Sequence, residues 1–291
     1  MTKKNSHIKD LTRRIICSSV IIAVLIVLLV YRQIPIIQGL LVLAIVSLAA
    51  VGVWEYTQLM RAKGLHPPIR LLVFVGILEV LAIYVPPGLG SWRQMAVIIL
   101  LFSVVTLCVF YFDKIENSIV NIATGFFGVC YVAIPLGLML RILYLPSKGL
   151  LFQDGIWWLV YLISVTKMTD IGAYFIGKFF GKHKLTSKIS PNKTLEGAIM
   201  GLLTATGVSV FMYYLAQKYQ FDGFALTLPR AIWLGALIGI LGQVGDLAES
   251  LMKRDAKVKD SNQIPGLGGV LDMLDSLLFT APFTYFFIQG F

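Results

Sequence analysis

The feature that most limits the fold of this chain is a series of apolar runs, each near the length that crosses hydrocarbon. A helix needs about 20 consecutive apolar residues to span a bilayer. Nine runs approach or meet that length: about 15–31, 34–54, 69–85, 95–112, 119–140, 156–177, 197–216, 232–251 and 274–291. Composition agrees, because only 14% of the 291 residues are charged, against roughly 25% in a soluble domain. The expected fold class is all-α: a polytopic integral membrane protein with about nine transmembrane helices. Residues 1–291 read as a single membrane domain, with N-terminal spans over 15–140 and a C-terminal part over about 156–291.

Lysine and arginine placement gives this layout an orientation. With the N-terminus inside, eighteen of the 25 basic residues fall in inner segments. Six fall outside (Arg32, Arg93, Arg141, Lys148, Lys218 and Arg230), and Lys167 lies within a span. Such a bias marks cytoplasmic loops, so the N-terminus is expected in the cytoplasm and the protein in the cell membrane. The first run, behind "MTKKNSHIKDLTRR", could be mistaken for a secretory signal. No small-residue cleavage site follows it and eight further runs do, so it reads as a retained anchor. The net charge of +10 then collects largely on one face, where lipid headgroups or nucleotide phosphates would meet it. Nucleic acid is a poor partner, because the basic residues occupy short inter-helical loops. Cys17, Cys108 and Cys130 lie within apolar runs without pairing or ligand spacing and read as small buried hydrophobes. His7, His66 and His183 form no constellation.

Two inner segments concentrate chemistry. In the sixth run, a rise of ~1.5 Å per residue carries Asp170 about 22 Å inward from Gly155. An ionisable group there faces a cavity or a partner, and Lys167, three residues earlier, offers a plain ion pair. A lysine-rich loop follows, then "SPNKTLEG", in which Ser190 is placed to cap or turn ahead of Pro191 while Thr194 and Glu196 open the next helix. Helix N-termini beside lysines suit anions, although lysine-rich inner loops are ordinary. In the eighth run Asp246 falls near the inner boundary, with Ser250 one turn on and Glu249 one turn before Lys253. Beyond it, "IPGLGG" permits a sharp bend, and Asp272 and Asp275 share a face at the start of the ninth helix. First-turn acids are often simple dipole partners. Here, however, Asp170, Asp246, Asp272 and Asp275 share one depth on one side, beside lysines. Carboxylates next to phosphate-binding lysines are the usual means of holding Mg²⁺ on substrate phosphates, which points to phosphoryl or nucleotidyl transfer.

At these residues the chain resembles the phosphatidate cytidylyltransferases, or CDP-diacylglycerol synthases. The likeness rests on "GDLAES", "SLMKRDAKVKDSNQIPGLGGVLDMLDS", "DIGAYFIGKFFGKHKL" and "ISPNKTLEG", and more loosely on "WEYTQLMRAKGLHPP". It is strong over about 165–291 and rests on hydropathy alone before that. Four departures stand out. Leu267 replaces the usual His, Met273 the usual Arg, Asn262 a small residue, and the 259–269 segment is one residue short. Because the acids and lysines survive, a working enzyme is expected. By resemblance, Asp246 and Asp272 would bind the catalytic Mg²⁺ with Asp275 in support. Lys253, Arg254, Lys259, Asp260, Ser190, Lys193, Glu196 and Asp170 would complete the site. The reaction implied is transfer of the cytidylyl group of CTP to phosphatidate, at a cytoplasm-facing site reached from membrane lipid, with a homodimer left open. A CTP-dependent lipid kinase of the dolichol kinase type, an inactive relative and a transporter remain alternatives. The kinase would release CDP rather than pyrophosphate.

Overall fold

A computed structural model describes residues 24, 26–85, 91–113, 115–145, 153–221, 223–258 and 269–290. Eight of the nine apolar runs coincide with helices of described extent. These are α1 (Pro35–Ala62), α2 (Ile69–Tyr84), α3 (Trp92–Phe110), α4 (Ser118–Leu143), α5 (Ile156–Phe180), α6 (Leu195–Tyr219), α7 (Leu228–Asp255) and α8 (Val270–Gln289). The run at 15–31 falls mostly outside the described residues, with 26–30 helical. Among the described residues, seven helices are long and apolar enough to cross a membrane. The exception is α2, whose 16 residues reach about 24 Å. The fold is the expected all-α bundle. Large apolar side chains such as Leu101, Phe102, Leu203 and Phe211 are exposed on its helix faces, as a lipid surroundings requires and water would not tolerate.

The strands that interrupt the helices are short. β1 (Tyr144–Leu145) pairs antiparallel with β2 (Gln153–Asp154), and β3 (Lys184–Thr186) with β4 (Ser190–Thr194). The second hairpin corrects one local expectation. Ser190 does not cap a helix but opens β4 opposite Thr186. The cap is Thr194, whose Oγ1 accepts the Gly197 N–H at 3.2 Å. Pro191 is compatible with this strand because a two-stranded ribbon has only edges.

Close helix approach builds the C-terminal half. A Cβ on Gly197 of α6 would come within 2.7 Å of the Ala173 carbonyl oxygen on α5, so the two backbones touch there. Between α5, α7 and α8 runs a seam of small hydroxyl residues. Thr166 bonds Thr280 at 3.1 Å, and Thr280 and Thr284 bond backbone carbonyls one turn back. Small and hydroxyl-bearing residues are how helices pack closely in lipid, where no hydrophobic force drives helices together. The N-terminal half joins this seam at one end. Lys63 pairs with Asp255 at the ends of α1 and α7, and Glu55 of α1 contacts the start of α8.

Candidate active site

Four of the expected residues converge on a single cavity. It measures about 640 Å³ and lies between the C-terminal half of α5, the β3–β4 hairpin, the start of α6 and α7. Asp170, Ser190, Lys193 and Asp246 line it, and so do Asn192, Thr194 and Gln243. That volume suits a small-molecule ligand. Lys193 reaches from the hairpin to Asp246 on α7, with Nζ 2.6 Å from Oδ2. Gln243, one turn before Asp246, donates from Nε2 to the carbonyls of Ala198 and Gly239, each at 3.1 Å, which ties α7 to the α6 N-terminus beneath the cavity.

A second group of charges lies on the α7–α8 side. Lys253 pairs with Asp272 and, at 3.3 Å, with the buried Glu249 one turn earlier. Asp275 is 8% exposed and accepts the Ser276 N–H at 2.6 Å. It stands within electrostatic reach of both Asp246 and Asp170, so it links the two groups. A Cβ on Gly245 would meet the Asp275 carbonyl, which shows how closely α7 and α8 approach beside Asp246. The expected Lys167–Asp170 pair is present at 3.7 Å. Lys167 also donates to the Met273 carbonyl at 2.9 Å, a contact across 106 positions of sequence that no local pattern announces.

Two expected substrate residues point their polar atoms elsewhere. The Glu196 carboxylate accepts the N–H groups of Lys182 and His183 at 3.1 and 3.3 Å and meets His183 Nδ1 at 2.6 Å, so it braces the turn into β3. Arg254 donates from Nε to the Ile189 carbonyl at 3.2 Å, which pins the hairpin to the end of α7. Lys259, Asp260 and Leu267 lie outside the described residues. Asn192, Thr194 and Gln243 were missed by the sequence reading. Of these, only Thr194 carried a sequence signal, as the residue opening a helix.

Among the described residues no three acidic, histidine or cysteine side chains close on a common point as a ligand set. The carboxylates are held by ammonium groups instead, Asp246 by Lys193 and Asp272 by Lys253. The donor chemistry nevertheless fits a hard divalent cation. All the candidate ligands are carboxylate oxygens, and Asp170, Asp246 and Asp275 lie near enough to repel one another unless positive charge is added.

Fold and site together define a class: a polytopic helical membrane protein with an acid-and-lysine cavity at one end of its bundle. Within that class, the chain belongs to the cytidylyltransferase family, whose profile matches residues 12–291. It is 34% identical to a phosphatidate cytidylyltransferase of Chlamydia pneumoniae, over 96% of this chain and 92% of that protein. A Synechocystis protein of the same name is 34% identical over 84% and 87% of the two chains. A third, from Bacillus subtilis, is 30% identical over 97% and 99%.

Proposed function

We propose that this chain is a phosphatidate cytidylyltransferase, acting in the cell membrane with its site open to the cytoplasm. The observation that carries the reading is the cavity in which Lys193 meets Asp246 beside Asp170 and Ser190, in a chain whose relatives bear that name along nearly their whole length. A phosphate oxygen of phosphatidate attacks the α-phosphorus of CTP. The bond from that phosphorus to the bridging oxygen breaks, and pyrophosphate leaves with the electron pair. Both reactants are anions, so the site must first offset their repulsion. Lys193 and Lys253 carry positive charge to the two acid groups and can turn to phosphate oxygens once those acids are otherwise neutralised. Phosphatidate is already an anionic nucleophile, so the scarcity of histidine near the cavity is no obstacle.

Asp246 and Asp272, with Asp275 in support, are the residues that would hold Mg²⁺. When bound, the ion supplies charge neutralisation on the transferring and leaving phosphates. With Asp246 so neutralised, Lys193 would be free to meet substrate phosphate, and Asp170 and Ser190 line the wall against which the ligand is oriented.

The test is purified protein in detergent or vesicles with CTP, Mg²⁺ and phosphatidate, scored for CDP-diacylglycerol and pyrophosphate. Both products in equal amounts are expected, with loss of turnover when the divalent cation is chelated. Release of CDP with a newly phosphorylated lipid would instead identify a lipid kinase. No nucleotide-dependent lipid product at all would overturn the reading.

A further inference from the structure

A fully buried charged contact between α1 and α8 involves a residue that the proposed chemistry does not use. Glu55 lies on α1 within "WEYTQLMRAKGLHPP" and is 0% exposed. Its two carboxylate oxygens point at the start of α8. Oε1 accepts the Val270 N–H at 3.0 Å and Oε2 the Leu271 N–H at 2.9 Å. These are the first two residues of the helix that carries Asp272 and Asp275.

A helix start leaves its first backbone N–H groups without intrahelical acceptors and bears partial positive charge. Behind a glycine-rich sequence, such a start would ordinarily be read as a phosphate cradle. Here a protein carboxylate takes the anion's place, from a helix 215 positions away in sequence. The arrangement has two consequences. The first two N–H groups of α8 are withdrawn from substrate, so phosphate must be met by the lysines of the cavity. The bidentate grip also fixes both the axial position and the rotation of α8, and Asp272 and Asp275 lie within its first two turns. The neighbouring packing agrees, since a Cβ on Gly52, one turn before Glu55, would lie 2.8 Å from Val132 and 3.7 Å from Leu271. At that point α1 meets both α4 and α8 with no room to slide.

We propose that Glu55 is a positioning residue for the reaction, a built-in anion that occupies the α8 N-terminus and sets the placement of Asp272 and Asp275. The proposal rests on the phosphatidate cytidylyltransferase reading for its kinetic consequences, but not for its structural ones.

The experiment compares wild type, Glu55→Gln and Glu55→Ala, with Ser47→Ala as a control on the same helix, whose hydroxyl only bonds the Leu43 carbonyl on the exposed side. Hydrogen exchange of peptides covering 269–276 is read beside steady-state kinetics. Glu55→Ala should lose amide protection in 269–276 while peptides from α5 and α6 keep theirs. Its kcat should fall by roughly ten- to a hundredfold, the scale of an ångström-sized misplacement, with KM for CTP changed less than about threefold. Glu55→Gln retains one acceptor oxygen and should fall between, which keeps the test decisive if the alanine variant fails to accumulate. Ser47→Ala should match wild type. Unchanged exchange in 269–276, or full kcat in Glu55→Gln and Glu55→Ala, would overturn the proposal. So would protection lost equally across α1, α4 and α8 in Glu55→Gln, because Glu55 would then be a general core residue. A wild type that makes no CDP-diacylglycerol would remove the reaction and leave the exchange result to judge the placement of α8.

Discussion

Asp246 of α7 and Asp272 of α8 are each matched by one lysine, and the two matches differ in environment. Asp246 keeps partial access to the cavity while the Lys193 Nζ is buried against it, and Lys253 is enclosed, with its side chain 15% exposed between Asp272 and the buried Glu249. Removing Lys253 would therefore strand acids in a poorly solvated place, and removing one partner of a buried pair costs about 3–5 kcal/mol. Lys253→Ala is expected to lower both thermal stability and activity. Lys193→Ala should abolish most turnover while the unfolding temperature in detergent stays within a few degrees of wild type. An unfolding scan beside the CDP-diacylglycerol assay separates the two. Lys167 makes a third case. Its pairing with Asp170 was legible at i, i+3 spacing, but its bond to the Met273 carbonyl was not, because it joins helices 106 positions apart. It places a cation beside Met273. Lys167→Met is accordingly expected to reduce kcat by about tenfold, on the scale of a lost charge-assisted contact. Wild-type turnover in that variant would remove Lys167 from the site.

Among the elements, the long helices were readable and the hairpin was not, for a physical reason. Spanning helices announce themselves through unbroken apolar length, and that signal is independent of partners. β3 and β4 carry lysines, serine, proline and asparagine with no alternation. Their pairing is imposed by what surrounds them: Glu196 gripping the turn before β3, the Leu195 N–H bonding the His183 carbonyl at 2.9 Å, and Arg254 holding Ile189. Glu196 and Arg254, which the resemblance places in the site, bond in the fold to the element that presents Lys193. This makes a kinetic prediction. Arg254→Ala should loosen the hairpin and raise KM for CTP several-fold more than it lowers kcat, since an exposed hydrogen bond contributes only about 1 kcal/mol. An equal fall in kcat with unchanged KM would assign Arg254 to the reaction itself. The α5–α6 contact is less forgiving. Gly197→Ala places a methyl against the Ala173 carbonyl, and overpacking of this kind costs typically 1–3 kcal/mol, which should appear as a lower unfolding temperature together with a distorted cavity.

At the scale of the whole molecule, the features that bear on function share one end of the bundle. The β3–β4 hairpin, the end of α7 and the start of α8 meet there, and the Lys63–Asp255 pair and Glu55 bring the end of α1 to the same place. From that end α6 runs 25 residues, about 37 Å, to Lys218 at the other. The sequence expects eighteen basic residues on the side of the hairpin and six on the opposite side, and positive residues concentrate on the cytoplasmic side of bacterial and eukaryotic membranes alike. Nucleoside triphosphate is supplied from the cytoplasm, so a cavity facing the other way could not be charged with CTP. The charge bias and the proposed chemistry thus lead to the same expected orientation. In a variant with Cys17, Cys108 and Cys130 replaced, single cysteines at Lys63 and Lys184 should be shielded from an impermeant maleimide in intact cells and should label once the membrane is opened. A cysteine at Lys218 should label in intact cells. If Lys63 and Lys184 label from outside while Lys218 does not, the bundle is inverted, and the cytidylyltransferase reading loses its nucleotide supply along with its topology.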